Sequence, residues 1–277
     1  MNMAMIQDKI VPADELEPVY LDRGIFFGDG VYEVVRSYNG KIFALEEHLH
    51  RLADSLAAIE ITGVDIDVVR GRVRRAFEAA GIPNAKIYFH ITRGSGPRSH
   101  NWDADVKPNF FLTVSELEDS AELKTKGVAV SLYPDLRWKR CDIKSLNLLP
   151  NVLAHQDAAR KGCFDAILVN EAGFITEGSS SAFFAIIGKS LQTTPLGSNV
   201  LPSVTRRFVF KAAENIRLQI IEKSLTPQQA GDADELFVAV TTKDILPVVR
   251  FDGKVIGDGR PGRYTKLLIE EFRTFTG

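Results

Sequence analysis

Apolar and polar positions alternate along GVYEVVRSYNGKIFAL (residues 30–45), interrupted by Asn39-Gly40. That pattern predicts a β-hairpin closed by a type I′ turn. Leu45, Leu49, Leu52, Leu56 and Ile59 then recur at the spacing of one helix face. A second amphipathic segment runs from about Val68 to Ala80 and is stopped by Gly81 and Pro83. AKIYFHIT (85–92) and NFFLTVSEL (109–117) read as strands on either side of the polar loop RGSGPRSHNWDADVKP. The charged stretch SELEDSAELKTKG reads as a connection, and residues 119–124 are taken as the linker between two domains.

Beyond it, VAVSLYPDL predicts a strand, and LLPNVLAHQDAARKG a helix with Pro150 in its first turn and Gly162 past its end. FDAILVN and FITEG predict strands paired around Glu171-Ala172-Gly173. SAFFAII follows, then a helix from about Ser203 to Asn215. RLQIIEKSL, DELFVAVTT and ILPVVRFDGKVI read as strands, the last with an Asp252-Gly253 turn, and a final helix spans about Pro261 to Phe272. Strands joined in hairpins with helices interspersed argue for mixed α and β in two domains, not a doubly wound parallel sheet.

The chain has 277 residues, enough for two domains and a well-buried core. A formal net charge of −2 offers no long-range attraction to nucleic acid or to an anionic membrane, so any anion site must be local. The N-terminus lacks the basic and apolar regions of a signal peptide, and no apolar run approaches the roughly 18 residues of a membrane span. Two cysteines without CxxC spacing fit a reducing cytoplasm, and five histidines without HExxH spacing do not suggest a metal catalyst.

Against this background Lys144 stands out, in a run that is otherwise uncharged from Ile143 to Asn151. An amine withdrawn from water is partly neutral, and a neutral amine is a nucleophile toward carbonyl groups. Alone, the same lysine reads equally as a strand-end residue reaching water. Glu177 precedes Gly178 and three serines, a set suited to holding a proton on a ring nitrogen and to binding phosphate, or to a plain polar turn. Pro202, Ser203 and Thr205 open a helix, whose first N–H groups favour anions, and Thr241-Thr242 end a strand.

Taken together and in order, YLDRGIFFGDGVYEVVR, EEHLHRL, RCDIKSLNLL, ITEGSSS, LPSVTRR and FVAVTTKDILPV resemble the class IV (fold-type IV) pyridoxal-phosphate aminotransferases, and within them the D-amino acid transaminases. The resemblance spans about residues 20–270. It implies a two-domain α/β architecture: a small N-terminal domain over 1–118, the linker, and a large domain over 125–277, with pyridoxal 5′-phosphate in the cleft between them. By the same resemblance Lys144 forms the internal aldimine and shuttles the Cα proton, and Glu177 partners the pyridine nitrogen. Arg51, Thr205, the Val204 backbone and Thr241 bind the phosphate. Leu201 packs on the ring face, and Ser180 and Ser181 line the pocket. Arg98 and His100, in TRGSGPRSHN, resemble a trap for the substrate α-carboxylate with Tyr32 as third member. In the family this loop reaches into the neighbouring subunit, which implies a homodimer.

The reaction so implied moves an amino group from a D-amino acid to a 2-oxo acid by ping-pong steps. Rival readings within the family are an (R)-selective amine transaminase, a branched-chain L-aminotransferase and an aminodeoxychorismate lyase. Ala182, Phe26 and Pro150 depart from the family pattern and bear on side-chain preference.

Overall fold

The structure is a computed structural model that describes residues 2–277. It opens with a hairpin, β1 (Met3–Ile6) and β2 (Lys9–Pro12), which turns through Gln7 at φ +53°. The sequence pattern there is too short to predict it. After two 3₁₀ turns comes the short helix α1 (Arg23–Phe27), capped by Asp22, whose carboxylate accepts from Gly24 N at 2.6 Å.

The alternating stretch forms β3 (Gly30–Tyr38), which reverses at Asn39-Gly40 into β4 (Lys41–Ile42). Both turn residues have positive φ, +49° and +83°, as a type I′ turn requires. The two predicted helices are α2 (Leu45–Ala58) and α3 (Ile66–Ala80), and the next strands are β5 (Ala85–Thr92) and β6 (Asn109–Glu116). The sheet is antiparallel in the order β4-β3-β5-β6. Leu45, Leu49, Leu52 and Leu56 of α2 pack on Val31, Val35, Ile87, Phe89 and Ile91. Each such buried side chain contributes about 1.5–3 kcal/mol. Strand alternation gives β3 two jobs. Val31, Glu33, Val35 and Ser37 are fully buried, while Tyr32, Val34, Arg36 and Tyr38 are only partly so.

The polar connection contains a short helix, α4 (Ala121–Lys126). The remaining elements are β7 (Val128–Pro134), α5 (Leu149–Arg160), β8 (Asp165–Val169), β9 (Ile175–Gly178), β10 (Ala182–Ile187), β11 (Ser190–Thr193), α6 (Val204–Asn215) and β12 (Gln219–Glu222). They continue with α7 (Pro227–Gly231), β13 (Glu235–Val240), β14 (Asp244–Phe251), β15 (Lys254–Val255) and α8 (Arg263–Thr274). The nine-stranded sheet runs β12-β11-β10-β13-β14-β7-β8-β9, with β15 on β14. It is mixed: β11–β12, β14–β7 and β7–β8 are parallel pairs and the others antiparallel. Both faces are covered, so β10 and, after Glu235, β13 are continuously apolar. Phe184 and Phe237 stack at 4.8 Å under α6 and α8, while Phe183, Val238 and Leu246 face the core that includes Ala230 of α7. This is the mixed α/β fold expected. No described helix is long and apolar enough to cross a membrane.

Candidate active site

Lys144 lies on a segment that crosses from the large sheet to the small one. Ser145 bridges Val31 of β3, Tyr32 N donates to the Lys144 carbonyl at 3.0 Å, and Leu146 N donates to the Gly30 carbonyl at 2.9 Å. Lys144 N donates to Ser55 Oγ of α2 at 3.1 Å. Ile143 is buried in the core under α2 and Ser145 is also buried, and Lys144 between them lines, with both of them, a cleft of about 510 Å³. Its Nζ stands 4.2 Å from the centre of the Tyr32 ring. The uncharged run around Lys144 is therefore a backbone splice, and Lys144 is the one charged residue it presents to the cleft.

Glu177, at the end of β9, lines the same cleft and is 6% exposed. Its Oε1 accepts from Arg137 NH1 and from Leu201 N at 3.2 Å. Both donors converge on one oxygen, which leaves Oε2 for the cleft. Burial pushes the Glu177 carboxyl up, and the Arg137 charge and hydrogen bond only partly oppose this. Arg137 is itself fixed: Nε and NH2 donate to Asp135 at 2.8 Å each, and NH2 also donates to the Asn199 carbonyl at 3.1 Å. Burial disfavours the Arg137 cation, but Asp135 and Glu177 outweigh it and hold its pKa above the ordinary arginine value. A cationic N–H placed against Oε2 would give this carboxylate the second donor it lacks.

Arg51 reaches the cleft from α2. Its guanidinium forks onto Glu33, with Nε to Oε1 and NH2 to Oε2 at 2.7 Å each, and NH1 donates to the Pro202 carbonyl at 3.1 Å. His48 Nδ1 lies 2.7 Å from Glu33 Oε2. Burial opposes ionisation of Glu33, yet the Arg51 charge and hydrogen bonds, with His48 beside them, hold its carboxyl at about 2. A carboxyl depressed in the folded state stabilises the fold above its ordinary pKa and loses that contribution as pH falls through the folded value. Stability should therefore drop between pH 5 and pH 2, by on the order of 3 kcal/mol from this group. Urea titrations of the wild type and Glu33→Gln across that range check this, with a shallower pH slope expected in the variant.

The start of α6 closes the same end of the cleft. Ser203 caps it by accepting from Arg206 N at 3.2 Å, and the N–H groups of Val204 and Thr205 have no intrahelical acceptor. Thr205 Oγ1 and Thr241 Oγ1 are 3.4 Å apart, and Thr241 and Thr242 line the cleft. A guanidinium, two hydroxyls and a helix start thus converge on one place, which suits an anion.

The three serines after Gly178 share one partner. Ser180 and Ser181 line the cleft, but both hydroxyls turn to Asp165, donating to Oδ2 at 3.1 and 2.7 Å. Ser179 Oγ also donates to Asp165, which is fully buried. Burial opposes ionisation of Asp165, but His155 beside it, the Ser179 and Ser181 hydroxyls and Ala166 N outweigh this and hold its carboxyl below the ordinary carboxylate range. Packing here is tight: a Cβ added at Gly178 would collide with Ser181 Oγ.

Arg98 and His100 are exposed and lie outside the cleft of their own chain. Their loop is nonetheless fixed. Arg23 NH1 donates to the carbonyls of Ser99 and Asn101 at 2.6 and 3.2 Å, and NH2 to that of His100 at 3.1 Å. Asp29 holds Arg23 Nε at 2.8 Å and Arg93 Nε at 2.9 Å.

Residues 30–251 match the family described as Amino-transferase class IV. The chain belongs to the class IV aminotransferases. It is similar to the D-alanine aminotransferase of Bacillus licheniformis, 37% identical over 88% of this chain and 87% of that one. It is also similar to the D-alanine aminotransferase of Staphylococcus haemolyticus, 34% identical over 99% of this chain and 98% of the relative. Among solved structures, the branched-chain amino acid aminotransferase of Escherichia coli superposes with a TM-score of 0.87 at 24% identity, covering 96% of this chain and 92% of that one. The T.th. branched-chain amino acid aminotransferase solved with pyridoxamine 5′-phosphate gives 0.86 at 22% identity, over 97% and 92% of the two chains. These two likenesses show the shared fold.

In this aminotransferase the cleft brings together Lys144, Glu177, Arg51, Leu201, Thr241, Tyr32, Ser180 and Ser181. Thr205 and Val204 stand at its anion end. Sequence reading missed the groups that hold these in place: Glu33 and His48 on Arg51, Arg137 on Glu177, Asp165 under the serines, and Arg23 on the 99–101 loop. Charged residues in the short, otherwise apolar strand β3 were the available signal for Glu33. Leu201 contributes its backbone N–H to Glu177 Oε1, a contact that sequence reading did not assign.

Proposed function

We propose that this aminotransferase holds pyridoxal 5′-phosphate between a small domain over residues 1–118 and a large domain over 125–277, joined by 119–124. On this reading it exchanges amino groups between D-amino acids, D-alanine among them, and 2-oxo acids, as a cytoplasmic homodimer. The observation that carries it is the pairing, in one cleft, of the Lys144 amine with a buried Glu177 carboxylate whose second oxygen is left for a cation. Two free cysteines, Cys141 and Cys163, suit a reducing compartment.

The residues present fit the group. Glu177 Oε2 would accept from a ring N–H, Leu201 is part of the cleft wall, and the end formed by Arg51, Thr205, Thr241 and the start of α6 would take a phosphate. Bound there, pyridoxal 5′-phosphate supplies an electrophilic carbon for amines and an electron-withdrawing ring to receive the electron pair of a broken Cα–H bond. Lys144 would hold the group before substrate enters and would serve as general base afterwards, taking the proton from the substrate Cα and returning it to the carbon on the far side of the substrate nitrogen. Tyr32, under its Nζ, keeps the amine directed into the cleft. Glu177 holds the ring proton, with Arg137 and Asp135 fixing its orientation. Arg51 and the two threonines anchor the far end so that the reacting atoms stay near Lys144.

Arg98 and His100 act, on this reading, from the partner subunit, where they bind the α-carboxylate. Their exposed side chains on a loop pinned by Arg23 support this. Arg98→Ala is expected to lower kcat/KM for D-alanine about 10–100-fold, the worth of a charge-assisted contact, and to leave (R)-1-phenylethylamine turnover little changed. Arrangement in trans has its own test. Mixing inactive Lys144→Ala with Arg98→Ala subunits should restore activity, because one site of each mixed dimer then has both groups. No gain on mixing means the trap acts within one chain, and unchanged D-alanine kinetics mean that the carboxylate is bound elsewhere.

A further inference from the structure

The hairpin between β13 and β14 carries a buried charge with no part in the chemistry described so far. Val240 pairs with Asp244, and Thr241, Thr242 and Lys243 form a three-residue loop between them. The residue that follows such a loop can take a left-handed conformation, where glycine is at ease. Here that position, at φ +61°, is filled by Asp244. A non-glycine residue in this region costs energy that the surroundings must offset, so its side chain is the place to look for a reason.

Asp244 is 7% exposed and draws three donors from two separate parts of the chain. Its Oδ1 accepts from Arg36 NH1 at 2.9 Å and from the Tyr38 hydroxyl. Its Oδ2 accepts from Lys124 Nζ at 2.6 Å. Arg36 NH1 also donates to the Thr242 carbonyl at 3.2 Å, and its guanidinium lies 3.9 Å from the Tyr38 ring centre. Arg36 and Tyr38 belong to β3 of the small sheet, Lys124 to α4 in the connection, and Asp244 to the large sheet. β3 also carries Glu33, which fixes Arg51. One strand therefore sets both flanks of the anion end: Arg51 through Glu33 from one face, and the Thr241–Lys243 loop through Arg36 from the other.

We propose that Asp244 is a positioning residue for the phosphate end of the cleft, clamping the Thr241–Lys243 loop to β3 so that phosphate affinity depends on the docking of the small sheet against the large one. Glycine at 244 would relieve the backbone, but it would leave Arg36, Tyr38 and Lys124 without their shared acceptor. The clamp rests on the reading of Thr205 and Thr241 as phosphate ligands.

The test compares pyridoxal 5′-phosphate with pyridoxal, which lacks the phosphate, as ligands of the cofactor-stripped full-length protein, followed by absorbance. Asp244→Asn keeps the shape and the tolerance for positive φ, whereas Asp244→Gly removes the strain. Both are expected to weaken pyridoxal 5′-phosphate about tenfold or more, the scale of one lost charged contact, and to leave pyridoxal within about twofold. Arg36→Met should reproduce the loss, and combining it with Asp244→Asn should add little. Should neither Asp244 variant fold, Arg36→Met carries the comparison alone.

Wild-type affinity in Asp244→Gly, or an equal fall for both ligands, overturns the clamp. Thr205→Ala and Thr241→Ala separate the two levels. If they leave pyridoxal 5′-phosphate affinity unchanged, the phosphate reading itself fails and the clamp with it. If they weaken it while the Asp244 variants do not, only the clamp fails.

Discussion

Lys144→Ala should fold, bind pyridoxal 5′-phosphate and lose transamination by about 10²–10⁴-fold, the range for removing a positioned general base. Folding survives because the segment is held by its backbone: Tyr32 N and Leu146 N complete the splice onto β3, and Lys144 N finds Ser55 Oγ. None of these contacts uses the side chain. Cofactor affinity falls less than turnover, since Arg51, Glu177 and the start of α6 are untouched. Alanine leaves a space where Nζ stood 4.2 Å from the Tyr32 ring centre, so a small primary amine such as methylamine should restore part of the rate. Half-reactions with D-alanine, with and without methylamine, measure this. Activity within about tenfold of wild type would remove Lys144 from the proton transfer.

Glu177→Gln should lower kcat by about 10²–10³-fold, comparable to removing one preorganised electrostatic partner. The amide keeps the shape and still accepts from Arg137 and Leu201 N through Oε1. It lacks the charge needed to hold a proton on a ring nitrogen. Arg137 remains paired with Asp135, so the fold tolerates the change better than loss of a lone buried partner would suggest. The expected signature is a large fall in kcat, a modest rise in the dissociation constant for pyridoxal 5′-phosphate, and little change in KM for the amino donor. Stopped-flow absorbance of the first half-reaction separates these, and a Gln variant with wild-type kcat would show that ring protonation is not maintained by this residue.

Legibility in the sequence followed the range of the interactions involved. Elements dictated by local period and turn chemistry emerged well: the Asn39-Gly40 hairpin, α2, α5 with Pro150 in its first turn, and the Asp252-Gly253 turn. The β1–β2 hairpin did not, because its turn uses Gln7 at positive φ in place of a glycine. β11 was missed as well, although Gly188-Lys189 between Ile187 and Ser190 was a turn signal. The charged connection was read only as a linker over 119–124, and its residues 121–126 form α4, which delivers Lys124 to Asp244.

Among site residues, those that meet the cleft carried motif-level signals, which pointed to Lys144, Glu177, Arg51, Thr205 and Thr241. Those that hold them did not. Arg137 contacts a glutamate 40 residues on, and Arg36 a carboxylate 208 residues on, distances at which no local pattern connects the partners. The hydroxyls of Ser180 and Ser181 face Asp165 for the same reason: the buried charge they satisfy comes from another strand.

The most direct measurement is borohydride reduction of the cofactor-loaded protein, followed by peptide mass spectrometry. A tether at Lys144 predicts one adduct with the mass of reduced pyridoxal 5′-phosphate, on that residue. An adduct confined to any other lysine, or none at all, would contradict it.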